Sequence, residues 1–129
     1  MIVVDASALV AMAQGEAEEE AFSNVIRQAD VIRMTDINYV EAGIVLCRRR
    51  LFPGFAQFDA WLTSLEVGVE EDRKLGAAAL QAYLRYGKGH HPARLNLADC
   101  FAYALAKRLN APLLYKGDDF SLTDIRSAL

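Results

Sequence analysis

Only two cysteines occur in the 129 residues, and no apolar run reaches the ~18 residues that a membrane span requires. Cys47 and Cys100 both lie inside apolar helical patterns, where a free thiol behaves as a small hydrophobe, so they are read as core thiols rather than a disulfide. Positive charge is also short: 14 Lys and Arg face 17 Asp and Glu, for a net charge of −3. A broad basic surface is therefore not expected, and any polyanion must be met by local Lys and Arg clusters or by bound cations. At the N-terminus Asp5 follows four apolar residues with no basic segment, which is not the pattern of a signal peptide. The expectation is a cytoplasmic protein that does not enter a membrane. Repeats, linkers and low-complexity stretches are missing too, so one domain over residues 1–129 is expected.

What is present is a chain 53% hydrophobic, enough for one sizeable core. Met1 to Val4 reads as a short buried strand, followed by Ser7 as a helix cap and a helix from Ala8 to Ala13. Glu16 to Ala29 reads as a second helix and Val31 to Met34 as a second strand. Thr35 or Asp36 caps the next helix, in which Ile37, Val40, Ile44, Cys47 and Leu51 form an apolar stripe ended by Pro53 and Gly54. Further helices are predicted around Phe55 to Leu65, over Asp72 to Tyr86, and from Asn96, as cap, to Asn110. Strands are predicted at Val67 to Val69 and Pro112 to Tyr115, with a fifth, edge strand at Thr123 to Arg126. Strands alternating with helices imply a mostly parallel α/β sheet of four to five strands with helices on both faces.

In such sheets ligands bind at the carboxyl ends of the strands, and four separate segments bring acids there. Asp5 ends the first strand. Glu41 lies in the second turn of the helix leaving the second strand, beside its apolar stripe, where an unpaired carboxylate is costly. Asp99 lies in the first turn of the helix that returns to the fourth strand, and Asp118 with Asp119 follow that strand. Each has an ordinary reading: Asp99 can complete a cap with Asn96, and Asp118 and Asp119 can form a turn. Together, without histidine or thiolate nearby, they make a hard-oxygen set suited to Mg²⁺ or Mn²⁺ and to phosphate-ester chemistry.

The segments Ile2-Val3-Val4-Asp5-Ala6-Ser7-Ala8-Leu9, Tyr39-Val40-Glu41-Ala42, Leu95-Asn96-Leu97-Ala98-Asp99-Cys100-Phe101-Ala102-Tyr103-Ala104 and Leu113-Leu114-Tyr115-Lys116-Gly117-Asp118-Asp119-Phe120 resemble, in this order, the PIN-domain family and its VapC-type toxins. The resemblance implies a three-layer α/β/α sandwich and a divalent-metal endoribonuclease, the toxin of a type II toxin–antitoxin pair. It implies Asp5 and Asp99 as primary metal ligands, Glu41 in support, and Asp118 or Asp119 completing the set. It further implies homodimers and a cognate VapB-like antitoxin whose tail enters the active-site groove. The mechanism expected is a water activated by the metal and aimed in line at an RNA phosphodiester.

An RNA chain passing this acidic rim needs cations. Arg85, Lys88 and Arg94, with His90 and His91, form a glycine-flanked group read as flexible and suited to backbone phosphates, and Lys116 is the next candidate. Arg48, Arg49 and Arg50 are read as a solvated helix end. Ser7 and Asn96 are candidates to orient substrate or a ligand, beside their capping roles. Two other readings stand alongside: a catalytically silent PIN module that binds RNA or a protein, and a metal-dependent phosphatase. For the latter, Ser7 stands where a haloacid-dehalogenase type of site has a second aspartate.

Overall fold

Three valines and isoleucines in a row cannot all face one way in a strand, because successive side chains point to opposite faces. In the computed structural model, which describes residues 1–129, the strand β1 (Ile2–Val4) puts Val3 on one side of the sheet and Ile2 and Val4 on the other. Both sides are buried, which is why the run is continuously apolar instead of alternating. β1 pairs in parallel with β2 (Ile32–Thr35) and with β4 (Leu113–Leu114), and β2 pairs in parallel with β3 (Val67–Glu70). The order is β3-β2-β1-β4.

Two apolar clusters, one on each face, hold helices against this sheet. On the side of Ile2 and Val4 lie α1 (Ala6–Ala13), α2 (Glu19–Gln28), α3 (Asp36–Arg48) and α4 (Phe55–Ser64), through Leu9, Phe22, Ile26, Leu46, Phe58 and Leu62. On the side of Val3 lie α5 (Leu75–Tyr86) and α6 (Leu97–Leu109), through Leu75, Ala79, Tyr86, Cys100 and Leu105. The result is the three-layer α/β/α sandwich expected, with four strands. No helix is long and apolar enough to cross a membrane, and both cysteines are free.

Three local expectations change. The segment Thr123 to Arg126 does not form a fifth strand: it follows the 3₁₀ turn Phe120–Leu122 and touches the sheet only through a single bridge from Leu113 to Ser127. The cap of α1 is Asp5, whose side chain accepts from the Ser7 amide, so the helix begins two residues earlier than a Ser7 cap would allow. In α3 the stripe Ile37, Val40, Ile44 does not face the core. The buried side is Asn38, Ala42 and Leu46, while Val40 and Ile44 are each 53% exposed. Helical periodicity identifies a helix, but a second stripe at the same spacing, holding a polar residue, has taken the interior.

The basic segment after α5 is folded rather than flexible. Lys88 N–H donates to the Leu95 carbonyl, Leu95 N–H to the Tyr86 carbonyl, the Tyr83 hydroxyl to the Lys88 carbonyl, and Ala93 N–H to His91 Nδ1. Gly87 is required at its start: a Cβ there would stand 2.4 Å from the Tyr83 carbonyl oxygen and 2.5 Å from its ring. Gly87→Ala is therefore expected to cost about 1–3 kcal/mol of stability by overpacking, read from urea or thermal denaturation; an unchanged midpoint would show that Tyr83 yields freely.

Candidate active site

The carboxyl edge of the sheet is where the caps of three helices meet. Asp5, at the end of β1, is only 2% exposed. Its Oδ2 accepts from the Ser7 amide at 3.0 Å and the Ser7 hydroxyl at 2.6 Å, and its Oδ1 accepts from Asn38 Nδ2 at 3.2 Å. Thr35 caps α3 by accepting from Asn38 N–H, which sets Glu41 one turn further along the same helix. Asn96 caps α6 in a full capping box: its Oδ1 accepts from Asp99 N–H at 2.9 Å, and Asp99 Oδ2 accepts from Asn96 N–H at 3.0 Å. The cap and the acid cluster are thus not rival roles for Asp99. One carboxylate oxygen serves the helix terminus, and Oδ1 is left free.

Asp5, Glu41 and Asp99 line one open cleft of about 460 Å³, together with Ser7, Gln14, Glu16, Arg49, Asn96 and Lys116. No Lys or Arg forms an ion pair with any of the three acids; the ion pair that does line the cleft joins Lys116 to Glu16 and leaves the three unpaired. Their protons respond accordingly. Burial raises the Asp5 carboxyl above its ordinary value, against the lowering by its Ser7 hydrogen bonds. Burial and then the charge of Asp5 raise Glu41. Asp99 is pushed up to about 7, by burial first and then by Asp5, with smaller contributions from Glu41 and Asp119. Of the two adjacent acids after β4, Asp119 is the one whose charge reaches Asp99. Asp118 instead opens the turn after Gly117, its carbonyl accepting from Ser121.

Asp5, Glu41 and Asp99, like groups with no cation paired to them, lack a direct counter-charge. No three acidic, histidine or cysteine side chains close around one point in this conformation. The three acids that line the cleft offer carboxylate oxygens only, the hard donors that Mg²⁺ and Mn²⁺ take, one or two directly with waters completing the shell. His90 and His91 are turned to other uses: His90 meets the Tyr83 ring edge-on, and His91 meets Tyr86 and caps Ala93.

The cations divide into two groups. Lys116 lines the cleft, and its backbone N–H donates to Ser7 Oγ at 3.0 Å. Its ammonium is held by Glu16 and lies 3.4 Å from Glu18, which raises its pKa, chiefly through Glu16. Arg49 also lines the cleft, donating to Gln14 Oε1 at 2.6 Å, while Gln14 in turn donates to Glu16. Arg85, Lys88 and Arg94 do not line it; Arg85 lies over the Tyr86 ring and borders a separate hollow between α5 and α6. Arg49, Gln14 and Glu16 were hidden in sequence because their segments, a helix end and a surface turn, carry no periodic signal. Beside the cleft, and sharing Glu41, Val45 and Asn96 with it, runs an aliphatic groove of about 540 Å³ formed by Ile37, Val40, Ile44 and Leu97.

A buried aspartate at the end of the central strand and further acids from α3 and α6, on a four-stranded parallel sheet, define a class. The PIN domain matches residues 2–125, and the chain belongs to that family. Within it, the similarity over nearly the whole length is to VapC ribonucleases. It is 43% identical to Ribonuclease VapC of Mycolicibacterium smegmatis, covering 96% of this chain and 97% of that protein. It is 44% identical to Ribonuclease VapC30 of Mycobacterium tuberculosis (96% and 95% covered) and 40% identical to Ribonuclease VapC42 of the same organism (98% and 98%). Among solved structures the fold resembles VapC20 of M. tuberculosis, a sarcin–ricin loop cleaving toxin, with a TM-score of 0.75 at 20% identity over 98% of this chain and 99% of that one.

The raised pKa values carry a stability consequence with a definite sign. Asp99 binds its proton more tightly when folded, so between 3.8 and about 7 the folded chain holds more protons than the unfolded one. Stability conferred at low pH is then lost as pH rises through that window. In chelator, the melting temperature is expected to fall between pH 5 and pH 8 by several degrees, and Mn²⁺ is expected to raise it more at pH 8 than at pH 5. A melting temperature flat with pH in chelator would contradict the cluster.

Proposed function

We propose that the chain is a Mg²⁺- or Mn²⁺-dependent endoribonuclease that hydrolyses RNA phosphodiester bonds, and that it is the toxin of a VapBC-type pair. The observation that carries this reading is the cleft itself: Asp5, Glu41 and Asp99, from three separate segments, line it and none of the three is ion-paired with a protein cation. In this reading Asp5 and Asp99 hold the ion directly, each with a carboxylate oxygen not fully used in capping, and Glu41 and Asp119 support it at longer range. When bound, the ion supplies Lewis acidity, making an attacking water more acidic and offsetting charge on the phosphate. Ser7 fixes the Asp5 carboxylate. Lys116 and Arg49, at the rim, meet the flanking phosphates. Asn96 holds Asp99 by the capping box, so its contribution is to orientation.

RNA, a VapB-like antitoxin and a second copy of the chain are the proposed partners, in the cytoplasm. The aliphatic groove beside the acids gives a protein partner an apolar surface to cover, since Val40, Ile44 and Leu97 are all exposed. A segment lying in it reaches the cleft through their common residues.

Purified protein is expected to cleave RNA with Mn²⁺ or Mg²⁺ and to stop in chelator. Asp5→Asn and Asp99→Asn are expected to lose about 100-fold or more, since even the outer partners of metal ligands account for about 10–100-fold. Equal activity in these variants, once shown folded, or cleavage that survives chelation would overturn the assignment. RNA binding with no cleavage would instead mark a silent module, and turnover of small phosphomonoesters a phosphatase.

Lys116 tests the RNA path separately. Its ammonium must exchange Glu16 for phosphate, so Lys116→Met is expected to weaken RNA binding and to flatten the slope of log affinity against log salt by about 0.7, one single-strand phosphate contact. An unchanged slope would take Lys116 off the path.

A further inference from the structure

Asn38 is a fully buried amide on the interior face of α3, in line with Ala42 and Leu46 one and two turns on. An apolar side chain would serve packing there, and a polar one is destabilising unless its hydrogen bonds are met. They are met in an informative way. Asn38 Oδ1 accepts from the Thr35 hydroxyl at 2.5 Å; Nδ2 donates to Asp5 Oδ1 at 3.2 Å and to the Ala98 carbonyl at 3.3 Å. The neighbours fix which way the amide points. Reversed, it would set its oxygen against a carboxylate and a carbonyl, neither of which can donate while Asp5 is ionised.

Those partners belong to the three segments that deliver the acids. Asp5 ends β1; Asn38 itself lies one turn before Glu41 in α3; Ala98 is the neighbour of Asp99 in the first turn of α6. No other side chain hydrogen-bonds to both β1's terminal aspartate and α6. The effect on Asp5 is directional. Ser7 occupies Oδ2 with two donors, so Oδ1 is the atom left for a cation, and the single bond from Asn38 settles which side of Oδ1 stays open. A ligand atom off by an ångström costs much of its value.

We propose that Asn38 is a positioning residue for the metal site, holding the Asp5 carboxylate in the orientation that presents Oδ1 to the cleft and locking α3 to the start of α6. This rests on the metal-binding reading given above. Asn38 touches neither substrate nor ion. It acts through Asp5.

The test is Mn²⁺ affinity, from the electron paramagnetic resonance signal of free Mn²⁺ titrated against protein, for wild type, Asn38→Leu and Asn38→Ser. Leucine keeps the volume and removes the amide; serine leaves a small donor. The Mn²⁺ dissociation constant is expected to rise about 10–100-fold in Asn38→Leu and less in Asn38→Ser, as for other outer partners of metal ligands. RNA cleavage by Asn38→Leu is expected to recover as Mn²⁺ is raised, which a packing defect would not produce. A chelated melting temperature lowered with Mn²⁺ affinity unchanged would reduce Asn38 to a structural role and overturn the proposal.

Wild-type protein supplies a measurement that needs no variant. The Asn38 side-chain amide protons are expected to exchange slowly and to shift as Mg²⁺ is added. Rapid exchange, or no shift while the Ser7 backbone amide moves, would also overturn it. If wild type binds no Mn²⁺, the metal reading falls and this inference with it; if wild type and variants bind alike, only this inference falls.

Discussion

A carboxylate sealed between two apolar layers is an expensive group to keep, and Asp5 is kept at the end of a strand whose residues are all buried. Its desolvation is offset only in part, by Ser7 and Asn38, with no arginine or lysine in contact. Much of the surrounding arrangement follows from that imbalance. Glu41 and Asp99 both lie close enough to Asp5 for its charge to raise their proton affinity, a repulsion of the kind that a cation would relieve.

The helix termini carry this chemistry at little cost in structure. Each of the three unpaired acids of the cleft is also part of ordinary helix construction: Asp5 caps α1, Asp99 closes the box with Asn96, and Glu41 sits a turn above the Thr35 cap. Helix N-termini carry partial positive charge, which favours the ionised acids and draws anions to the same edge. Capping uses Oδ2 of Asp5 and of Asp99 and leaves Oδ1 of each outside the cap.

How much of this was legible in the sequence depended on the kind of signal. Alternating strands and helices announced the sandwich, and the segments ending in Asp5, Glu41 and Asp99 announced the rim. Burial on α3 was misread because Ile37, Val40 and Ile44 looked like a core stripe, whereas the interior took Asn38, Ala42 and Leu46. Hydrophobicity ranks an asparagine last among core candidates; only its three partners from distant segments explain it. The basic group around Lys88 read as a mobile arm because glycines flank it, yet its backbone is tied to Tyr83, Tyr86 and Leu95. Arg49 reached the cleft only through its contact with Gln14 across 35 positions, a pairing that no local pattern encodes.

The strand order has a consequence for how such a protein comes into being on the ribosome. β1 emerges first, yet one of its two neighbours in the sheet is β4, which begins at Leu113. Residues 3 and 4 therefore wait for residues 113 and 114 before the central ladder closes, and Lys116 N–H cannot reach Ser7 Oγ until then. Long-range pairing of this kind is slow and leaves an apolar edge uncovered meanwhile. A nascent chain has Asp5 and Ser7 long before it has the cleft, which waits on the pairing of β4 with β1.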